Sequence, residues 1–131
     1  MIVLDTHALV WWVAGDAQLS RRAREAIEAE EQNGEILVSA ISAWEVAMLT
    51  KAGRLALTME AQTWLNTVAQ IPAIQFIPVD VSISVQSVDL PGEFHKDPAD
   101  RIIVATARHH SAALISADSK IRDYSHVKTI W

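Results

Sequence analysis

Short apolar runs alternate with longer amphipathic stretches along the whole chain, and this rhythm constrains the fold more than any single residue does. Residues 1–4, 35–39, 74–78 and 112–116 read as short buried strands punctuated by polar or turn residues, with a fifth over 127–130. Between them, residues 6–13, 20–32, 40–51, 58–69, 81–89 and 98–110 carry helical patterns. Such alternation predicts an α/β fold: a three-layer α/β/α sandwich whose central, mainly parallel sheet is covered by helices on both faces. No repeat, low-complexity tract or long linker breaks the pattern, so residues 1–131 read as one domain. At that size folding buries about 68% of the unfolded chain's surface, enough for a two-layer core.

Some residues are assigned to folding alone. In the second helical stretch Ser20 is placed to cap, Ala23, Ala26 and Ile27 to face inward, and Arg21–Glu25 and Arg24–Glu28 to pair across one turn. Gly34 and Gly53 close the second and third helices. Trp11 and Trp12 are adjacent, so they are not expected to share the core face of one helix; one is expected at a subunit or partner surface.

Composition removes several classes of chemistry. There is no cysteine, which excludes disulfide scaffolds, thiolate zinc sites and cysteine nucleophiles together and suits a reducing cytoplasm. The apolar start meets Asp5 after four residues with no basic lead, unlike a secretory signal, and no apolar run approaches a membrane span. Sixteen acidic against eleven basic residues give a net charge of −5, so the overall footprint of a duplex-binding protein is missing. Any nucleic acid must then be held by a local basic rim or through bound cations. Six of the eleven basic residues do fall late, at Lys96, Arg101, Arg108, Lys120, Arg122 and Lys128; a rim and an ordinary solvated face are equally consistent with that.

In an open α/β sheet, ligands bind beyond the carboxyl ends of the strands. Acidic residues collect at those positions: Asp5 follows the first run, Glu45 lies in the helix after the second, and Asp118 closes the fourth. Asp97 and Asp100 open the most apolar helix. Helix capping competes with chemistry at each. Asp97 before Pro98 is a good N-cap with Asp100 in the capping-box position, Ser42-Ala43-Trp44-Glu45 also reads as a capping box, and Asp5 and Asp118 stand where they can cap the helices after them. Helical phasing counts against capping alone at two of them. Ile103, Val104 and Ala107 share a face with Asp100, and Ile41, Met48, Leu49 and Ala52 share one with Glu45, so both carboxylates fall on apolar stripes. A buried carboxylate needs compensation, and one divalent cation satisfies several at once. Oxygen donors without cysteine or a helically spaced histidine pair favour Mg²⁺ or Mn²⁺ over zinc. His109 and His110 suit a helix end, His7 and His126 read as surface residues, and His95 remains a candidate substrate contact.

Carboxylate-held Mg²⁺ at the mouth of a sheet suits phosphodiester hydrolysis, because the cation offsets substrate charge and acidifies water. Other phosphate machinery is missing: there is no GxxxxGK[ST] or GxGxxG loop, and His7 breaks an Asp-x-Asp opening.

Leu4-Asp5-Thr6-His7, Ser42-Ala43-Trp44-Glu45-Val46, His95-Lys96-Asp97-Pro98-Ala99-Asp100-Arg101 and Ser116-Ala117-Asp118 together resemble the four blocks of PIN-domain ribonucleases, and more narrowly the VapC-type toxins of prokaryotic toxin–antitoxin pairs. The resemblance runs in order over essentially the whole chain. It implies a Mg²⁺- or Mn²⁺-dependent cytoplasmic endoribonuclease acting on RNA of the tRNA or rRNA class. It implies an acidic quartet at Asp5, Glu45, Asp100 and Asp118, with Asp97 as a further ligand or only a cap, and Thr6 and Ser116 as auxiliaries. It also implies a homodimer and an antitoxin protein whose tail enters the active-site groove. Ala99 stands where an aromatic is frequent, and Ser116 where threonine is common; neither removes a ligand. The residues alone leave open a non-toxin, DNA or structure-specific nuclease. They also leave open a non-catalytic module binding metal and a protein partner, although such receiver-type domains place an acidic pair where this chain has Asp5 alone.

Overall fold

The computed structural model describes all 131 residues. The elements, in chain order, are β1 (Ile2–Leu4), α1 (Thr6–Ala14), α2 (Arg21–Asn33), β2 (Ile36–Ser39), α3 (Ala40–Lys51), α4 (Ala61–Ala69), β3 (Ile74–Ile77), α5 (Val81–Val88), α6 (Pro98–His109), β4 (Ala113–Ile115), α7 (Ser119–Arg122) and β5 (Thr129–Ile130). The five strands form one sheet in the order β3-β2-β1-β4-β5, and every pairing is parallel. From β1 the chain steps outward to β2 and β3, then crosses back to place β4 on the other side of β1. Because parallel crossovers are right-handed, this reversal puts the two sets of helices on opposite faces.

The period-two alternation of the strands supplies both layers. Ile2, Leu4, Ile36, Val38 and Ile115 face one core with Ala8 and Leu9 of α1, Ile27 of α2, Val46 of α3, and Trp64 and Val68 of α4. Val3, Leu37 and Leu114 face the other, against Ile83 of α5, Ile103, Val104 and Ala107 of α6, and Ile121 of α7. The α/β/α sandwich read from the sequence is therefore the observed fold, with a wholly parallel sheet. No helix is long and apolar enough to cross a membrane.

Local expectations fare unevenly. Ser20 caps α2, its Oγ accepting from Ala23 N at 3.1 Å, and Arg21 pairs with Glu25 at 3.0 Å. Arg24, expected to pair with Glu28, turns instead to the Asp16 carbonyl at 3.4 Å, which faces it from the turn before α2. Helix α4 starts at Ala61, three residues later than the pattern suggested, because Glu60 is its N-cap residue. The four-residue α7 is too short to show a period. Trp11 and Trp12 are both half-buried and both pack on the first core: α1 covers the sheet over a wide arc, and Trp11 also meets the Trp131 ring at 5.8 Å. The tryptophan at the surface is Trp44, 57% exposed.

The late basic residues do not form one set either. Arg101 is half-buried and spends its guanidinium on backbone carbonyls: Nε donates to Ser87 at 2.8 Å, Nη2 to Val88 at 3.1 Å, and Nη1 to Phe94 and His95 at 3.0 and 3.2 Å. Ser87 and Val88 end α5, where carbonyls lack intrahelical partners, so Arg101 closes that helix and ties down the segment leading to α6. Arg108 donates to the His126 carbonyl, while Lys96, Lys120, Arg122 and Lys128 stand exposed. Replacing Arg101 by Met keeps the stem and deletes the donors. Charge-assisted bonds and partially buried carbonyls predict a loss of about 3 kcal/mol in urea unfolding, whereas a solvated rim arginine would cost under about 0.5 kcal/mol.

Candidate metal centre

The strand order reverses between β1 and β4, and the crevice beyond their carboxyl ends is where an open α/β sheet binds ligands. Asp5 is the first residue after β1 and only 5% exposed. Its Oδ1 accepts from Thr6 N at 2.8 Å, capping α1, and its Oδ2 accepts from Ser116 Oγ at 2.7 Å. Ser116 follows β4 directly and is fully buried; its Oγ also accepts from Asp118 N at 3.1 Å. One hydroxyl thus ties the residues after two adjacent strands together. Asp118 caps α7, with Oδ1 accepting from Lys120 N at 2.8 Å.

Glu45 reaches the same region from α3. Thr6 Oγ1 donates to Glu45 Oε1 at 2.6 Å and lies 2.8 Å from Ser42 Oγ. Thr6 has one hydroxyl proton and the carboxylate is the stronger acceptor, so the buried Ser42 hydroxyl donates to Thr6. This arrangement corrects two sequence expectations. Ser42 and Glu45 do not form a capping box, because α3 begins at Ala40 and its cap is Ser39. Nor is the face of Glu45 the core face: Ser42 and Val46 are buried, whereas Met48 is 42% exposed. Helix α3 meets the sheet through small residues, which a hydrophobic periodicity passes over. The one sequence signal for Ser42 was its position a turn before Glu45.

Asp100 approaches from α6, whose Ile103, Val104 and Ala107 are buried as its phasing required. Asp97 caps this helix, its Oδ1 accepting from Asp100 N at 3.0 Å, and its side chain is exposed. Asp100 Oδ2 lies 3.0 Å from His95 Nε2, both side chains being largely buried. The contact is poorly aligned, so Nε2 has no hydrogen-bond partner. His95, left open as a substrate contact by the sequence, stands against a carboxylate instead. His7 and His126 are exposed, as expected.

The electrostatics show that these groups share one region. Burial first, and then the charges of Asp5, Asp97, Asp118 and Glu45, together raise the Asp100 pKa to about 7. Burial also raises Asp5, against the lowering pull of its Ser116 and Thr6 hydrogen bonds. Glu45 is raised by burial and by Asp5 and Asp97, against its Thr6 bond. The ion pairs of the chain that involve a lysine, an arginine or the amino terminus are the Met1 amino group with Glu30 and Arg21 with Glu25, so no lysine or arginine neutralises the quartet. An all-oxygen donor set with uncompensated charge is the chemistry that a hard divalent cation satisfies. The side chains do not converge as tightly as expected: no three of them are drawn together closely enough to hold an ion. Like charges oppose that approach, and Asp5 and Asp118 each hold an oxygen against backbone N–H groups.

The sequence pattern of the PIN domain matches residues 2–127. Ribonuclease VapC22 of Mycobacterium tuberculosis (strain ATCC 25618 / H37Rv) is 35% identical over 132 residues, covering 99% of this chain and 98% of the relative. The chain belongs to the PIN-domain family. Within it the chain is of the VapC type, the metal-dependent ribonucleases of toxin–antitoxin pairs. Among solved structures, a chain of a toxin–antitoxin complex from Klebsiella pneumoniae superposes with a TM-score of 0.65 at 25% identity, covering 97% of this chain and 95% of that one. A chain of VapBC2 from Rickettsia felis, bound to a DNA fragment from their promoter, has a TM-score of 0.70 at 16% identity, covering 98% and 97%, a likeness of fold.

The position of Asp100 in this PIN domain sets a pH dependence. Its folded pKa of about 7 lies above the unfolded value of about 3.9, so between those values the metal-free folded chain holds a proton that the unfolded chain has released. Stability should therefore fall as pH rises from about 4 to 7. Asp100→Asn should flatten that slope and stabilise the metal-free protein at pH 8 by about 1 kcal/mol or more, the worth of one pKa unit. Urea unfolding of both proteins in EDTA at pH 5, 6, 7 and 8 measures it. A variant less stable than wild type at pH 8 would assign Asp100 to capping alone.

Proposed function

We propose that Asp5, Glu45, Asp100 and Asp118 hold Mg²⁺ or Mn²⁺ and that this centre hydrolyses phosphodiester bonds of RNA, of the tRNA or rRNA class. The observation that carries the reading is the uncompensated carboxylate set at the β1/β4 switch point, on a chain with no global positive charge. When bound, the cation offsets phosphate charge, lowers the pKa of the attacking water and stabilises the leaving oxygen. The protein's own groups orient that set. Ser116 fixes Asp5 relative to Asp118, and Thr6, backed by Ser42, fixes one oxygen of Glu45. Asp97 serves as the cap of α6, its carboxylate accepting from the Asp100 backbone N–H, and adds negative potential to the site.

The expected outcome is cleavage of mixed tRNA and rRNA that requires Mg²⁺ or Mn²⁺, is poorly supported by Ca²⁺ and stops in EDTA. Asp5→Asn, Glu45→Gln and Asp100→Asn should each lower the cleavage rate by about 100-fold or more, since each deletes charge where a phosphoryl centre is stabilised. Thr6→Val, which frees Glu45 but keeps the carboxylates, should cost less. Full activity in excess EDTA, or cleavage of DNA in preference to RNA, would overturn the reading.

An antitoxin partner and a homodimer belong to the same proposal. Ile41, Trp44, Met48, Pro98 and Ala99 line a cleft of about 400 Å³ directly beside Glu45 and Asp97. An apolar segment lying there would present a basic side chain to the carboxylates. Val81, Val85 and Val88 form an exposed apolar stripe on α5, which supports self-association. Co-expression with a short neighbouring reading frame should give a stable complex without nuclease activity, and Trp44→Ala should weaken it at least tenfold in a titration assay. A neighbouring product that neither binds nor inhibits would leave the nuclease standing and remove the antitoxin.

A further inference from the structure

A second cleft, of about 600 Å³, opens beside the carboxylates on the α7 side. It is lined by residues 92–95, Lys120 and residues 123–126, the carboxylates of Glu93 and Asp123 among them. Two of these residues connect it to the candidate centre. His95 stands 3.0 Å from Asp100 Oδ2, and the backbone N–H of Lys120 donates to Asp118 Oδ1 at 2.8 Å. The cleft therefore adjoins the proposed cleavage site through these two residues, and its volume falls within the range of small-ligand pockets.

Its wall is a chain of rings. Phe94 meets His95 at 4.5 Å and Tyr124 at 4.7 Å, and Tyr124 meets His126 at 5.4 Å, all at tilted angles. Tyr124 is buried and anchored through its hydroxyl to the Pro91 carbonyl, while Phe94 and His126 keep solvent-accessible surface. Gly92 has φ +66°, a conformation that glycine adopts without strain, and this turn brings the backbone against the His126 ring. Arg101 holds the Phe94 and His95 carbonyls, which fixes the wall in place.

We propose that this cleft is a nucleobase subsite that takes an unpaired ribonucleotide flanking the scissile phosphate, stacking its base on the exposed His126 ring that Tyr124 and Phe94 back, with Lys120 facing its phosphate. The proposal rests on the ribonuclease reading above and adds the form of RNA that the site accepts. Aromatic rings beside a single cationic group are the means by which proteins hold single strands. The carboxylates of Glu93 and Asp123 count against a duplex backbone at this position, yet they suit the amino groups on a base edge. Unpaired bases in loops are the part of a structured RNA that can be splayed onto such a wall.

The test uses the full chain with His126→Ala and Lys120→Ala, both exposed positions outside the two cores, and Arg22→Ala as a distant control. The probes are the four nucleoside 5′-monophosphates, which contain no phosphodiester bond, titrated in EDTA with amide chemical shifts as readout. Shifts at residues 92–95 and 120–126 are expected, with affinity falling about tenfold in His126→Ala, the scale of one lost base stack. With Mg²⁺ and a stem-loop RNA, both variants should raise KM about tenfold and leave kcat within about twofold, while Arg22→Ala matches wild type. If wild type cuts RNA, no monophosphate shifts these amides and the variants cut equally well, the subsite is overturned and the ribonuclease reading stands. If the monophosphates bind there but wild type cuts no RNA, the subsite stands and the ribonuclease reading fails. Amides that move only when the antitoxin is added would make the cleft a peptide site and overturn the proposal.

Discussion

A carboxylate at the end of the central strand, 5% exposed and without a lysine or arginine partner, is the costliest feature of this chain. Burying an unpaired charge is unfavourable by far more than any one hydrogen bond returns. The structure around Asp5 is arranged to reduce that cost without removing the charge. A backbone N–H at the start of α1 takes one oxygen and the Ser116 hydroxyl takes the other. Because Ser116 also binds the Asp118 amide, relief of Asp5 and placement of Asp118 are a single device. A cation in place of Ser116 would relieve the charge more fully and leave nothing for a metal to do.

Topology explains why four distant segments supply acids to one region. In a wholly parallel sheet all strand ends of one kind lie on one side, and β1 is flanked by β2 and β4. Asp5 and Asp118 follow β1 and β4, and Glu45 comes from the helix after β2. Asp100 arrives by the crossover between β3 and β4, the connection that reverses the winding direction. The same connection carries Phe94, His95 and Arg101, so the segment that completes the acidic set also builds the aromatic wall beside it.

This division accounts for what could be read from residue order alone. Strand positions and the burial of Asp100 were legible because period-two and period-3.6 patterns report which face a sheet or helix hides. Glu45 was found through a face that proved partly exposed: α3 packs through Ser42 and Val46, and a hydroxyl buried for its hydrogen bond has no apolar signature. Arg101 was grouped with solvated cations because its partners are backbone carbonyls up to 14 residues away, and carbonyls carry no residue identity. The close convergence of the quartet was not legible either, since it depends on charge balance and not on pattern.

Capping and metal binding, which compete as explanations at Asp5, Asp97 and Asp118, are better understood as one physical arrangement seen twice. Each of these side chains accepts from a backbone N–H at a helix start, where the local dipole favours the ionised carboxylate. Such a bond fixes the rotamer, and at Asp5 the second oxygen accepts from the Ser116 hydroxyl as well. Asp100 differs because it lies inside the first turn, makes no cap of its own and meets only His95. Burial and the charges of the other acids together raise its pKa to about 7 with no donor opposing them, whereas at Asp5 burial raises the pKa against two hydrogen-bond donors. Near neutral pH a proton and a cation therefore compete for Asp100. A bound cation would thus act on Asp100 twice, displacing its proton and offsetting the repulsion of the other acids.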